Sequence, residues 1–298
     1  MASMDPLYGI EVIEALQSAL SPTLDLVFIL FTLLGEDYVY MSLLAITYWC
    51  FNKKTGVELS YVLLASAYLN YWMKMSFGMD KPPSEYRIIL KDDISYGFPS
   101  GHAQGAVTFW GWAGKKIGKA WGHILFFTLI FFIDLSRIYL GVHYLGDVLS
   151  GILFGGVFLI IAYKSMPYLE RKLSRIPRLL RDYLLPLVSV LLFGLSSTVF
   201  PDVARGNSAL ICGNLFGFSL GVPLESKCID SPMAISRRTK AIRAGVGLIT
   251  VFGLYLVMSF LLDALSLDTL VYIQFLKYAI VAFTIAFIEP LIFRYIQK

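Results

Sequence analysis

The sequence predicts an all-α fold, a polytopic transmembrane helix bundle, and three observations predict it. The 298 residues are 57% hydrophobic and only 15% charged, with a mean hydropathy of +0.68. A water-soluble domain of this length needs more polar surface. Aromatic residues make up 15% of the chain, which suits rings gathered at membrane interfaces. Ten apolar segments also follow one another, near 22–35, 38–52, 56–78, 102–114, 120–140, 145–163, 182–200, 207–223, 243–263 and 269–293. A span takes about 20 apolar residues, fewer where two segments form a hairpin that does not fully cross.

Taken in order, residues 1–21 read as an N-terminal interfacial helix. Ile10, Ile13, Leu16 and Leu20 recur at helical spacing, and Asp5-Pro6 offers a start. Asp5, Glu11 and Glu14 stand where a signal peptide carries basic residues, so no cleavable leader is expected. Residues 22–163 hold six segments and form the expected core. The first two are short and are joined by the polar turn Gly35-Glu36-Asp37. Residues 164–181 carry Lys164, Arg171, Lys172, Arg175, Arg178 and Arg181 and read as a basic cytoplasmic linker. Residues 182–298 add four more segments, to which the sequence attaches no role. Cys50, Cys212 and Cys228 are far apart and form no C-x-x-C, so they read as small buried side chains.

Positive charge supports this count. Lys53 and Lys54, Lys115 to Lys119, the loops 164–181 and 224–243, and Arg294 with Lys298 hold 18 of the 25 Lys and Arg, and alternating segments put them all on one side. The positive-inside rule makes that side cytoplasmic, with both termini inside. The loop 79–101, the turn 141–144, Asp202 to Arg205 and the acidic stretch Asp263 to Asp268 then face the extracytoplasmic or lumenal side. In a membrane protein the position of charge matters more than its sum, here +4, and no nucleic-acid partner is expected. The expected surroundings are the bilayer and a lipid; the oligomeric state is left open.

Seven basic residues lie elsewhere: Lys74, Lys81, Arg87, Lys91, Arg137, Arg205 and Lys277. Cations at or in a membrane away from the cytoplasmic face need a reason. Several lie beside two of the three histidines. His102 stands in Pro99-Ser100-Gly101-His102, just before the fourth segment, and His143 stands four residues before Asp147. The third, His123, reads as an interfacial polar residue. Phosphoryl transfer without a metal would need fixed cations and N–H donors for the anion, a neutral imidazole nucleophile, a carboxylate to orient it, and an acid for the leaving oxygen. His143 and Asp147 share a helical face. Ser100 and Gly101 precede a helix whose N-terminal N–H groups favour anions, and Gly101 admits a close approach. Arg137 can fork onto phosphate oxygens. Lys74 and Lys81 stand two helical turns apart.

These residues resemble the three-block signature of the type 2 phosphatidic acid phosphatase (PAP2) superfamily: K-x6-R-P, P-S-G-H and S-R-x5-H-x3-D. Here the blocks read Lys74-x6-Lys81-Pro82, Pro99-Ser100-Gly101-His102 and Ser136-Arg137-x5-His143-x3-Asp147. The second and third match fully, and Lys81 replaces the usual Arg in the first. The resemblance covers about residues 56–163. It implies a membrane lipid phosphatase with a six-helix PAP2-like core, the four C-terminal segments lying outside the resemblance, with His143 as nucleophile, Asp147 as its orienting partner and His102 as acid. Lys74, Lys81, Ser100, Gly101 and Arg137 would bind phosphate. Lys81 keeps the charge of Arg but not its fork, which Arg87 is the candidate to supply. No metal and no cofactor is implied.

The expected reaction is hydrolysis of a lipid phosphate or diphosphate through a phosphohistidine. Polyprenyl diphosphate ranks first among the substrates, before phosphatidate, phosphatidylglycerol phosphate and a sphingoid-base phosphate. The run Leu135 to His143 is also similar to the sphingosine-phosphate phosphatase branch, which usually has Thr where Gly101 stands. Alternatives are a phosphotransferase on the same site, a catalytically inactive lipid-binding or transport protein, and a vanadium haloperoxidase. The last are soluble proteins, unlike this chain.

Overall fold

A computed structural model describes residues 7–88, 95–200 and 207–296. Asp5-Pro6, Lys91, Asp92, the stretch Asp202 to Arg205 and Lys298 lie outside the described residues. Among those described, every regular element is helical. The order is α1 (Glu11–Leu20), α2 (Asp25–Leu33), α3 (Asp37–Ile46, continued by a π-helical turn over Thr47–Phe51), α4 (Lys53–Phe77), α5 (Gly101–Ile117) and α6 (Ala120–Tyr139). Then come α7 (Leu145–Leu173), α8 (Arg178–Val199), α9 (Ser208–Cys228), α10 (Arg237–Ala264), α11 (Val271–Phe283, continued by a second π-helical turn over Thr284–Ile288) and α12 (Glu289–Ile296).

Each of the ten apolar segments is a helix. Among the described residues, six spans are long and apolar enough to cross a membrane: α6, α7, α8, α9, α10, and α11 through α12 as one. The first two segments form a pair bent by 51° at Gly35-Glu36, as a polar turn between two short apolar runs requires. Side chains confirm the solvent: Phe127, Ile249 and Phe260 are 72%, 76% and 72% exposed. Asp134, Arg137, His143, Asp147, Arg243 and Glu289 are buried. That inversion suits a chain whose outer faces meet lipid and whose polar groups must be satisfied internally.

Three boundaries differ from the sequence pattern. The basic stretch 164–173 is not a loop; it is the last part of α7, which runs 29 residues through Pro167. Likewise α10 begins at Arg237, where the Ser236 hydroxyl caps the helix by accepting from Thr239 N at 3.1 Å. Basic side chains are good helix formers, so their charge marks a wet helix end as readily as a loop. The described N-terminal helix begins at Glu11, and its Ile13 is fully buried against Ala103, Ile138 and Val148, so α1 packs on protein.

The described residues form two compact units: 7–40 with 65–88 and 95–165, and 41–64 with 166–200 and 207–296. In the second, α9 packs on α8 and α11. The two π-helical turns are joined there, because Tyr48 Oη donates to the Ala286 carbonyl at 3.1 Å and Trp49 Nε1 to that of Ile285 at 2.8 Å. A π turn leaves carbonyls without a helical partner, and these aromatic donors fill that role. Buried Arg243 donates to the carbonyls of Trp49 and Pro232 at 2.9 and 3.1 Å. Lys53 pairs with Glu225 at 2.8 Å. In the first unit α5 and α6 are neighbours and α2 lies along α6. There α7 approaches the start of α5 so closely that a Cβ at Gly151 would stand 2.6 Å from the Ser100 carbonyl oxygen.

Candidate active site

The first unit carries all the signature residues. On α4, Asn70 and Lys74 are one turn apart. Asn70 Nδ2 donates to the Pro99 carbonyl at 3.3 Å and to Gln104 Oε1 at 2.9 Å, and Gln104 Nε2 donates to the Ser66 carbonyl at 2.9 Å. These buried amides tie the first turn of α5 to α4. The loop before α5 turns at Ser100, whose side chain is the N-cap, accepting from Ala103 N at 3.4 Å. Gly101 opens the helix, where a Cβ would stand 3.2 Å from Asn70 Oδ1 and 3.9 Å from Lys74 Cε. The anion-favouring end of α5 and the Lys74 side chain therefore share a corner.

The α6–α7 turn supplies the next group. Arg137, on the last turn of α6, accepts at its carbonyl from Val142 N and His143 N, each at 3.2 Å. Gly141 has φ +68°, a left-handed conformation that favours glycine, and packs on the Tyr86 backbone. The turn thus folds back and delivers His143 beside Arg137. Nδ1 of His143 is 3.2 Å from Asp147 Oδ2, and Tyr144 N donates to the same oxygen at 3.1 Å. His143 is 3% exposed and Asp147 0%. A carboxylate accepts only, so Nδ1 carries the proton and Nε2 keeps its lone pair. Burial first, then the charges of Lys74, Arg137, Lys81 and His102, holds the His143 imidazole well below the ordinary histidine range. At neutral pH it is uncharged, the form that attacks phosphorus.

Loop and dyad are joined by one bond: Ser100 N donates to the Asp147 carbonyl at 2.9 Å. Lys74 Nζ donates to the carbonyls of Tyr96 and, at 3.2 Å, Gly97. Lys81 Nζ donates to Ser95 Oγ at 3.1 Å. Arg137 Nη1 donates to Thr32 Oγ1 at 2.5 Å, and His102 Nε2 lies 3.5 Å from Glu36 Oε1.

The structure thus gathers Lys74, Lys81, Ser100, Gly101, His102, Arg137, His143 and Asp147. Arg87 Nη2 donates to the Pro82 carbonyl at 2.9 Å. Sequence reading did not single out Thr32, Glu36, Asn70, Gln104 or Asp134. Asp134 is buried one turn before Arg137, whose charge it feels. Asn70 carried the one readable signal, a polar residue on the Lys74 face of an apolar helix.

Comparison with known proteins adds the following. The PAP2 superfamily model matches residues 55–171, and the model for the PAP2 superfamily phosphatase transmembrane extension matches 209–297; together they cover more than half of the chain. A "Probable sphingosine-1-phosphate phosphatase" of Dictyostelium discoideum is 24% identical over 237 residues, covering 73% of this chain and 58% of that protein. "Sphingosine-1-phosphate phosphatase 1" of Mus musculus is 24% identical over 311 residues, covering 90% of this chain and 71% of that one. The chain therefore spans a little over half the length of the first relative. Among solved structures, Aquifex aeolicus LpxE aligns at TM-score 0.45 with 28% identity, over 55% of this chain and 99% of that one. A transmembrane PAP2-type phosphatidylglycerolphosphate phosphatase from Bacillus subtilis aligns at 0.47 with 20% identity, over 56% and 87%.

Proposed function

The chain belongs to the PAP2 superfamily, and from that membership we propose that it hydrolyses a lipid phosphate monoester, a sphingoid-base phosphate first, through a phosphohistidine on His143. One observation carries the reading: a buried, neutral imidazole held by Asp147 at 3.2 Å, among the charges of Lys74, Lys81 and Arg137.

The phosphate sits among these cations and the N–H groups at the start of α5. His143 Nε2 attacks phosphorus; the P–O bond to the lipid breaks, and His102 gives its proton to the leaving oxygen. Asp147 stabilises the imidazolium character that develops on His143. Water then attacks the phosphohistidine, neutral His102 takes a proton from it, and the P–N bond breaks. Inorganic phosphate leaves, and both histidines return to their starting states.

Relatives called sphingosine-1-phosphate phosphatases, one aligned over 90% of this chain, support a sphingoid-base phosphate over the polyprenyl diphosphate that breadth of need placed first. The test is phosphate release by detergent-purified protein, with EDTA present, from a panel of sphingoid-base phosphate, phosphatidate, phosphatidylglycerol phosphate and polyprenyl diphosphate. The sphingoid-base phosphate should turn over fastest, and vanadate should inhibit as a mimic of pentacoordinate phosphorus. A tenfold or larger preference for the diphosphate overturns the substrate assignment. Activity only with added magnesium overturns the mechanism. A phosphorylated alcohol formed when an acceptor is supplied would mark a phosphotransferase.

The site is proposed to face the extracytoplasmic or lumenal side, opposite the basic ends of the helices. A headgroup can then enter sideways while its tails stay in the bilayer. Ser84, Ser174 and Ser236 are all exposed, so single cysteines there report sidedness once the exposed Cys228 is replaced. Ser84→Cys should react with an impermeant thiol reagent in intact cells, and Ser174→Cys and Ser236→Cys only after permeabilisation. The reverse pattern overturns the orientation.

A further inference from the structure

We propose that Glu36, in the turn between α2 and α3, is a positioning residue for the acid His102, so that this turn is a working part of the active site. The inference rests on the phosphatase reading above and extends it to a residue outside the stretch 55–171 that matches the family model.

The geometry is specific. Glu36 Oε1 lies 3.5 Å from His102 Nε2, and the two side chains are only 14% and 19% exposed. The neighbouring Gly35 lets the ring lie against the turn, for a Cβ there would stand 2.8 Å from His102 Cδ2. Thr32, one turn earlier, accepts from Arg137 Nη1. One bent helix pair therefore contacts both the acid and the phosphate-binding guanidinium.

The chemistry asks for such a group. His143 must start neutral and His102 must start protonated, yet both imidazoles stand among the same cations. Other titratable groups around this corner are Lys74 and Lys81, Arg137 and Asp134 on α6, His143 itself, and Asp37 and Tyr40 at the start of α3. His143 has Asp147 on Nδ1 and is buried; His102 has a carboxylate on Nε2 at a wetter position. Opposed environments of this kind separate the roles of two like groups in one site. An imidazolium carries a proton on each nitrogen. Nε2 stands on the Glu36 side of the ring, which leaves Nδ1–H as the proton given to the leaving oxygen as the P–O bond breaks, and Nδ1 takes a proton back from the attacking water.

Two measurements test this. In substrate-free protein, the His102 imidazole is titrated by NMR and assigned by its loss in His102→Asn. In Glu36→Gln it should hold its proton about tenfold less tightly, with Glu36→Asp intermediate and the His143 signal unmoved. An unchanged His102 titration in Glu36→Gln overturns the proposal, and this measurement needs no substrate. In turnover, Glu36→Gln should lose about ten- to a hundredfold of kcat/KM on an alkyl lipid phosphate. It should lose much less on an aryl phosphate, whose leaving group needs no proton, and the alkaline limb should move to lower pH. The double variant Glu36→Gln/His102→Asn should be no slower than His102→Asn alone. Equal losses on both esters, or additive losses in the double variant, would show a structural role only. If the wild-type protein releases phosphate from no lipid, the phosphatase reading falls while the titration still decides the pairing.

Discussion

His143→Ala is expected to abolish turnover, and with it any acid-labile phosphoprotein that accumulates when substrate is added and the reaction quenched in alkali. The expectation follows from placement. His143 is the one imidazole whose Nδ1 faces a buried carboxylate and whose Nε2 is left with its lone pair among Lys74, Lys81 and Arg137. The groups proposed to hold the anion, Lys74, Lys81, Arg137 and the N–H groups at the start of α5, are cations or donors with no lone pair to offer phosphorus. A pH profile reads the same residue without mutation. Attack requires the deprotonated ring, and burial among four cations lowers its proton affinity below the ordinary value of 6.5. So kcat/KM rises with pH only below about pH 6.5 and is flat above it until the acid limb of His102 is reached. Retained phosphate release in His143→Ala, or a rate that still climbs through the ordinary histidine range, would remove His143 from the mechanism.

Asp147→Asn should lower kcat by about a thousandfold, about 4 kcal/mol of transition-state stabilisation, while the protein folds and still binds vanadate. One oxygen, Oδ2, accepts from both His143 Nδ1 and Tyr144 N. In an asparagine the carbonyl oxygen should keep that place, because Tyr144 N–H demands an acceptor. The hydrogen-bond geometry then survives, and only the negative charge opposite the developing imidazolium is lost. Measuring kcat and vanadate affinity in parallel separates the two effects. A variant with near-native kcat would show that the carboxylate only holds the turn. A variant that no longer binds vanadate would show that it builds the anion site instead.

The residues proposed to react could be singled out because their spacing is dictated locally. Four residues put His143 and Asp147 on one face, and a Ser-Gly pair before an apolar run marks a helix start in any context. The helices were legible from their apolar runs, since lipid allows few other structures. What could not be read is what tertiary packing alone brings near. Thr32 and Glu36 are far along the chain from Arg137 and His102, and nothing in the turn Gly35-Glu36-Asp37 distinguishes a residue that faces a site from one that faces solvent. Arg87 illustrates the converse. Its candidacy rested on distance along the chain alone; in the structure one of its nitrogens, Nη2, donates to the Pro82 carbonyl from the extended residue after the Ser84–Tyr86 turn. The π-helical turns after α3 and α11 have no sequence signature, because an extra residue per turn is stabilised by its neighbours' donors, here Tyr48 and Trp49.

The bond from Ser100 N to the Asp147 carbonyl has a mechanical meaning. It clamps the mouth of α5 to the root of α7, and α7 also bears on that mouth through Gly151. The proposed cradle for the anion and the proposed mount for the nucleophile are therefore tied to each other.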